Sequence, residues 1–257
     1  MITRLQGKEI IKLWSKGLTN IQISNSLEIG IRSVISVLNR NQKLSNRYEL
    51  IDESKIKQLL IGSYLGDGNF EKIDKHKESR LNLIHSDKYS DYLEWKADKL
   101  REVNLFNSIN RYKLVNKSGY VSNLITTKSK TNPVFTEYRI LGYDQCLGYI
   151  NLDLIRDISE EGFAIWYFDD GCVLNDGVAI NCSSIPYEEK EEIKKIIYNN
   201  LKLVVNITPD TLYIPKNQMY RFLEIVTPFC VESMKYKLFP YHQRKAHVKS
   251  CELLENP

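Results

Sequence analysis

Asp67 and Asp170 each close an apolar run and precede a glycine, in LIGSYLGDG at 60–68 and FAIWYFDDG at 163–171. They stand 103 residues apart, about the length of a small domain, so one plan recurs in each half of the chain. Carboxylates are hard oxygen donors, and a pair supplied by two related halves suits a divalent cation and phosphodiester cleavage. A helix C-terminus already carries partial negative charge, so an acid there is disfavoured by roughly 0.3–1 kcal/mol. Bringing two such ends together adds like-charge repulsion, which a bound cation would turn into attraction. The plain alternative, that Asp-Gly is a common turn dipeptide, accounts well for one copy and poorly for two.

The elements that must position these acids are the apolar runs themselves. KIKQLLIGSYLGDG at 55–68 has helical spacing, with Ser54 as its expected cap and Gly68 expected in the left-handed C′ conformation. Gly62 and Gly66 lie four apart on one helix face and would let a second helix come close, bringing Asp170 to Asp67. The second run has Ile165 and Asp169 at the matching places. Two identical small-residue ridges therefore cannot meet, which predicts a pseudo-symmetric monomer rather than a homodimer.

The 257 residues, 42% hydrophobic and 26% charged, describe a globular chain with ample core. No apolar run approaches the roughly 20 residues that span a bilayer, and MITRLQGKEI has no secretory core. An intracellular protein without membrane partners is expected, in a bacterial or phage-infected cytoplasm or an organelle. The five cysteines are scattered and form no CxxC pair, against a zinc or disulfide framework. Net charge is +4 but uneven: residues 1–47 hold eight Lys/Arg against Glu9 and Glu28. A second basic stretch, 103–136, lacks acids and interleaves Arg111, Lys113, Lys117, Lys128 and Lys130 with Tyr112, Tyr120, amides and hydroxyls. That mixture suits phosphates and base edges, or is a solvated basic surface.

At the N-terminus, GKEIIKLWSK places Ile10, Ile11, Leu13 and Trp14 on one side of a helix closed by Gly17. Thr19 is an N-cap for a second helix, and Leu27, Ile29 and Gly30 make the turn into a third, anchored by Val34, Val37 and Leu38. Arg32, Ser33, Ser36, Asn39 and Arg40 are left facing outward. LEIGIRSVISVL resembles the helix-turn-helix of resolvase/invertase-type domains, which implies that this third helix enters a DNA major groove. The alternative is a three-helix module without a nucleic-acid role.

The two motifs together resemble a two-repeat LAGLIDADG homing endonuclease, of the branch whose second motif reads like WYFDDG. HSDKYSDYLEWKADKL at 85–100, FTEYRILGY at 135–143 and VTPFCVESMKYKL at 226–238 extend the resemblance over roughly 54–240. It implies an α+β fold: a pseudo-twofold pair of αββαββα repeats with saddle-shaped antiparallel sheets, plus the small all-α helix-turn-helix domain. The expected organisation is 1–46 helix-turn-helix, 47–54 linker, 55–150 first repeat and 151–257 second repeat. Asp67 and Asp170 become metal-binding catalytic acids, with the backbone carbonyls of Gly66 and Asp169 as further ligands. Mg²⁺ is the implied ion, with Mn²⁺ able to substitute.

Lys237 matches the basic residue near the cut. His85 stands where the family often has glutamine, and is either a member of the site or a satisfied strand-end histidine. The implied DNA contacts are Arg80, Asn82, Arg111, Lys113, Lys128 and Lys130 in the first half, and Asn181, Ser183 and Lys235 in the second. The segments at 181–189 and 212–222 belong to the second repeat. The implied activity is sequence-specific double-strand DNA cleavage by an intron-encoded or free-standing enzyme. A non-cleaving transcription regulator and an intron RNA-splicing maturase share the scaffold and stay open. Met1 and the terminal LLENP carry no splice-junction chemistry, against an intein-embedded form.

Overall fold

Thr19 caps the second helix of the chain as its position predicts. Its hydroxyl accepts the Gln22 N–H, and the Gln22 side chain accepts the Thr19 N–H, a capping box. The computed structural model describes residues 3–15, 18–45, 51–73, 78–144, 151–183 and 185–238, with backbone alone at 4, 15, 39–45, 143 and 144. The chain divides into two compact units, Met1–Ile51 and Asp52–Pro257.

In the first unit, α1 (Arg4–Ser15), α2 (Asn20–Ser26) and α3 (Ile31–Ser45) enclose Ile10, Ile23, Val34 and Leu38. Leu13, Leu18, Leu27, Ile29 and Val37 pack onto that core. Trp14, expected on the same side of α1 as Ile10, is 43% exposed, while Ile10 and Leu13 make the contacts with the core. The turn into α3 is relieved by Glu28, at φ 52°, rather than by Gly30. The Gly30 carbonyl instead starts α3 by accepting from Ser33 and Val34. The expected helix stop at Gly17 and the linker residues 47–50 lie outside the described residues. Beyond them Ser54 does not cap the first motif helix, which starts after Ile56 without a side-chain cap; Asp52 instead caps the 3-10 turn Glu53–Lys55, its carboxylate accepting the Ser54 N–H at 3.2 Å and the Ser54 hydroxyl at 2.6 Å.

In the second unit the first half runs α4 (Lys57–Leu65), β1 (Asn69–Glu71), β2 (Arg80–Ser86), α5 (Ser90–Glu102), β3 (Phe106–Val115), β4 (Val121–Ser129) and α6 (Pro133–Arg139). A short α7 (Leu152–Ile155) leads into the second half. That half runs α8 (Glu160–Asp170), β5 (Gly171–Val173), β6 (Gly177–Asn181), α9 (Tyr187–Leu201), β7 (Asn206–Ile207), β8 (Thr211–Pro215) and α10 (Met219–Val226). Both halves therefore read αββαββα. Their antiparallel sheets share one order, β1-β2-β4-β3 and β5-β6-β8-β7. They differ in reach: β3 and β4 have ten and nine residues, β7 and β8 two and five. The long hairpin turns at Gly119, φ +82°, over an Asn116 side chain that accepts from the Ser118 and Tyr120 N–H groups.

α4 and α8 pack against each other, and Leu59–Leu65 and Gly162–Phe168 are buried on every side, as apolar all-round helices must be. Their unequal faces are complementary. A Cβ on Gly62 would lie 2.5 Å from the Ile165 Cβ and 2.6 Å from the Gly162 carbonyl; one on Gly66 would lie 2.6 Å from Asp169 Oδ2. Ile165 and Asp169 thus fill the hollows left by the two glycines. Gly68 is not left-handed, contrary to expectation: among the described residues only Gly119 is a glycine with positive φ. Its missing side chain serves close packing, since a Cβ there would sit 2.5 Å from Ser63 Cβ and the Ser63 carbonyl oxygen.

Candidate active site

Asp67 follows the end of α4 and Asp170 ends α8, so the packing of these helices brings the two acids to one place. The Asp67 side chain is 48% exposed and Asp170 is half-buried. Burial, then the charges of Asp67 and Asp169, push the Asp170 carboxyl up to about 6, against the pull of Lys237 and Lys96. Burial and the Asp169 charge raise Asp67 as well. Among the described residues no protein donor hydrogen-bonds either carboxylate. Two underpartnered acids, both raised and Asp170 partly by the Asp67 charge, fit a divalent cation.

Asp169, expected to contribute its backbone carbonyl, also enters the site through its side chain. Its side chain is fully buried and accepts from Lys96 Nζ at 2.7 and 3.0 Å, from the Tyr92 hydroxyl at 3.0 Å and from the Asp67 N–H at 3.1 Å. Its carbonyl accepts from Lys237 Nζ at 3.2 Å. Asp67, His85 and Asp169 bring donor atoms within 4.8 Å of one another, a spacing compatible with a metal. Lys96 already supplies the cation there, bonded to Asp169 and 3.2 Å from His85 Nε2. The open pair is Asp67 with Asp170.

His85, on the inner face of β2, is 7% exposed and lies 3.9 Å from carboxylate oxygens of both Asp67 and Asp169. Burial and the Lys96 charge lower its pKa to about 3, so the ring is neutral. An ammonium only donates, so Nε2 accepts from Lys96 and Nδ1 carries the proton, facing Asp67. Lys237, also 8% exposed, donates to the Phe168 carbonyl at 2.6 Å and caps the negative end of α8. Burial lowers its pKa, opposed by Asp169. The 3-10 turn that carries it, Glu232–Lys237, is tied to α5 by the Ser233 N–H, which donates to Asp91 at 3.0 Å. A cleft of about 250 Å³ opens beside these groups, lined by Asp67, His85, Tyr89, Tyr236 and Lys237.

Lys96 and Tyr92 were missed by sequence reasoning. The available signal was a lysine inside the buried stripe Tyr92, Leu93, Lys96, Ala97, Leu100 of α5.

The register divides the expected DNA contacts of the first sheet. Asn82 faces with Lys128 and Ser108, and Ile84 with Thr126 and Asn110, on one side. Arg111 and His85 flank Ile125 from its two neighbouring strands, and Lys113 pairs with Asn123, on the other. Arg80 pairs with Glu71 within the sheet, Arg111 with Asp87 at 2.8 Å, and Lys130 with Asn104 at 2.8 Å. Asn82 is buried and accepts from the Thr126 hydroxyl. In the second half Asn181 is exposed but accepts the Ser183 N–H, and Lys235 pairs with Glu232. In the first unit Arg32 and Ser36 are exposed on α3 and Ser33 is half-buried; the Arg40 and Asn39 side chains lie outside the described residues. No helix among the described residues is long and apolar enough to cross a membrane.

Residues 57–222 match the LAGLIDADG DNA endonuclease family. A probable intron-encoded endonuclease 1 of Wickerhamomyces canadensis is 26% identical over 224 residues, 78% of this chain and 92% of that protein. The cytochrome b mRNA maturase bI2 of Saccharomyces cerevisiae is 25% identical over 201 residues, 72% of this chain. The chain spans about half, 48%, of that maturase's length. Among solved structures, the homing endonuclease I-WcaI bound to its DNA recognition sequence aligns with a TM-score of 0.65. It is 21% identical, covering 77% of this chain and 92% of that one, a likeness of fold.

Proposed function

Because the chain belongs to the LAGLIDADG DNA endonuclease family, we propose that it is a site-specific endonuclease that hydrolyses both strands of a long DNA target. The observation that carries this reading is the pairing of Asp67 and Asp170 at two matched helix ends, without protein donors among the described residues. These two carboxylates would hold a divalent cation, Mg²⁺ or Mn²⁺, which when bound polarises the scissile phosphate and acidifies an attacking water. Lys237, fixed by the Phe168 carbonyl, places positive charge at the cleft where phosphate charge develops. His85 keeps a proton on Nδ1 beside Asp67. The chain acts as a monomer, its two halves straddling the target and the helix-turn-helix of residues 1–46 lengthening the recognised site.

Selection of a target from a randomised duplex library in Ca²⁺, followed by Mg²⁺, tests the reading. A discrete double-strand cut is expected from the wild type, and none from Asp67→Asn or Asp170→Asn, both still binding. Tight binding with no cut in Mg²⁺ or Mn²⁺ leaves the transcription-regulator reading instead.

An intron RNA-splicing maturase is the second reading, favoured by the maturase relatives and by Tyr112 and Tyr120, exposed on and beside the long hairpin as stacking surfaces for unpaired bases. Tight binding of the host intron RNA, with faster splicing, is its signature.

A further inference from the structure

We propose that Lys96 is a positioning residue that makes the metal-binding pair depend on both halves at once; this rests on the endonuclease reading of the same site. Lys96 lies on α5 of the first half, Asp169 on α8 of the second, and Asp67 again in the first. The ammonium bonds both oxygens of the Asp169 carboxylate, at 2.7 and 3.0 Å, and Asp169 Oδ2 accepts the Asp67 N–H at 3.1 Å. The order Lys96, Asp169, Asp67 crosses the seam twice and ends on the backbone of an acid expected to hold the cation.

Three features make this a built arrangement rather than an incidental ion pair. Lys96 and Asp169 have fully buried side chains, so neither charge is solvated and each must find its partner inside. Every face of the pair is held: the Tyr92 hydroxyl donates to Asp169, its ring lies 4.3 Å from Lys96 Nζ, and His85 Nε2 closes the remaining side at 3.2 Å. Gly66 supplies the space, since any side chain there would strike Asp169 Oδ2. A structural core would be served as well by apolar groups of the same volume. Only a task that needs the Asp67 backbone held to the opposite helix calls for an acceptor at this point.

The test keeps net charge constant. In full-length Lys96→Met/Asp169→Leu both charges go and two apolar side chains of similar volume replace them. Melting separates fold from function, Mn²⁺ binding followed by electron spin resonance reads the acid pair without DNA, and cleavage of the selected target reads activity. A melting temperature close to the wild type is expected, with Mn²⁺ binding weakened about tenfold or more and cleavage about 100-fold, while DNA binding in Ca²⁺ is unchanged. Wild-type Mn²⁺ binding and cleavage in the double variant would overturn the proposal and make the pair purely structural. Lys96→Arg keeps the charge and fold if the double variant does not fold; its wider fork must displace Asp169, so undiminished Mn²⁺ binding and cutting there also overturns it. A wild type that binds Mn²⁺ but never cuts any DNA refutes the endonuclease reading alone.

Discussion

Asp67 donates its backbone N–H across the helix seam to the carboxylate of Asp169, 3.1 Å away. The contact exists because the two helices touch where α4 has glycine. At Gly62 the obstacles to a side chain include a backbone carbonyl, that of Gly162, which cannot swing aside. Gly62→Ala should therefore overpack the seam by about 1–3 kcal/mol. That corresponds to a fall in melting temperature of roughly 2–12 °C. Calorimetry of the metal-free protein checks it; an unchanged melting temperature would mean that the helices do not pack this closely.

The acid pair should destabilise the metal-free protein at neutral pH. Asp170 is raised to about 6 from an ordinary 3.8, so the folded protein binds this proton more tightly than the unfolded chain. Stability is then lost as pH rises through 4 to 6, and the full cost stands above about 6. Asp170→Asn removes that cost. Measured in EDTA, it should melt higher than the wild type at pH 7.5, by about 2–4 °C per kcal/mol relieved, with the advantage vanishing near pH 4. Solvent at this half-exposed site keeps the effect modest. A variant that melts lower at pH 7.5 would contradict the raised affinity.

Much of this site is legible in the sequence because its acids repeat. The LIGSYLGDG and FAIWYFDDG runs give the seam and the helix ends by period and spacing, whereas the αββαββα plan follows from the family resemblance that the two runs carry. Lys96 is not legible in that way: its partner Asp169 is 73 residues distant, and nothing local tells a buried lysine from one that reaches solvent. Gly68 fails for a different reason. Turn propensity explains Asp-Gly equally well by a left-handed stop or by close packing, and only the position of Ser63 decides for packing. Which basic residues share a face depends on cross-strand register, and a shift of one residue would exchange Lys128 for its neighbours.

Lys237 caps α8 through the Phe168 and Asp169 carbonyls while bordering the cleft. Lys237→Met leaves those carbonyls without that donor, a cost of about 1–3 kcal/mol, and removes the charge that the proposed mechanism sets beside the scissile phosphate. Cleavage at saturating DNA should drop roughly 100-fold or more, well below the melting range, while affinity in Ca²⁺ changes little. Single-turnover kinetics separate the two; a rate close to the wild type would reduce Lys237 to a helix cap.

Register makes a sharp contrast between two lysines of the long hairpin. Lys128 shares a face with Asn82 and Ser108, whereas Lys113 lies on the face that carries His85 and Ile125 farther along the sheet. If the Asn82 face lies along the DNA groove, Lys128→Ala should lower the slope of log affinity against log salt by about 0.9, and Lys113→Ala should leave it unchanged. Equal slopes for the two variants would mean that the hairpin grips DNA with both faces.

Arg32 and Ser36 are exposed on α3, four residues apart and so on one side of the helix. The core of Ile10, Ile23, Val34 and Leu38 needs neither of them, so their presence is not explained by folding. A helix that enters a major groove would use this side for base edges and phosphates. Arg32→Ala should then weaken target binding by about 1–3 kcal/mol, roughly 5- to 160-fold, without slowing cleavage once DNA is saturating. Fluorescence anisotropy against the selected target measures the first and single-turnover cutting the second. Because Arg32 belongs to a unit with its own core, its loss should leave the melting of the second unit unchanged, so weakened binding could not be ascribed to a damaged nuclease fold. Unaltered affinity would make the first unit a three-helix module with no hold on DNA.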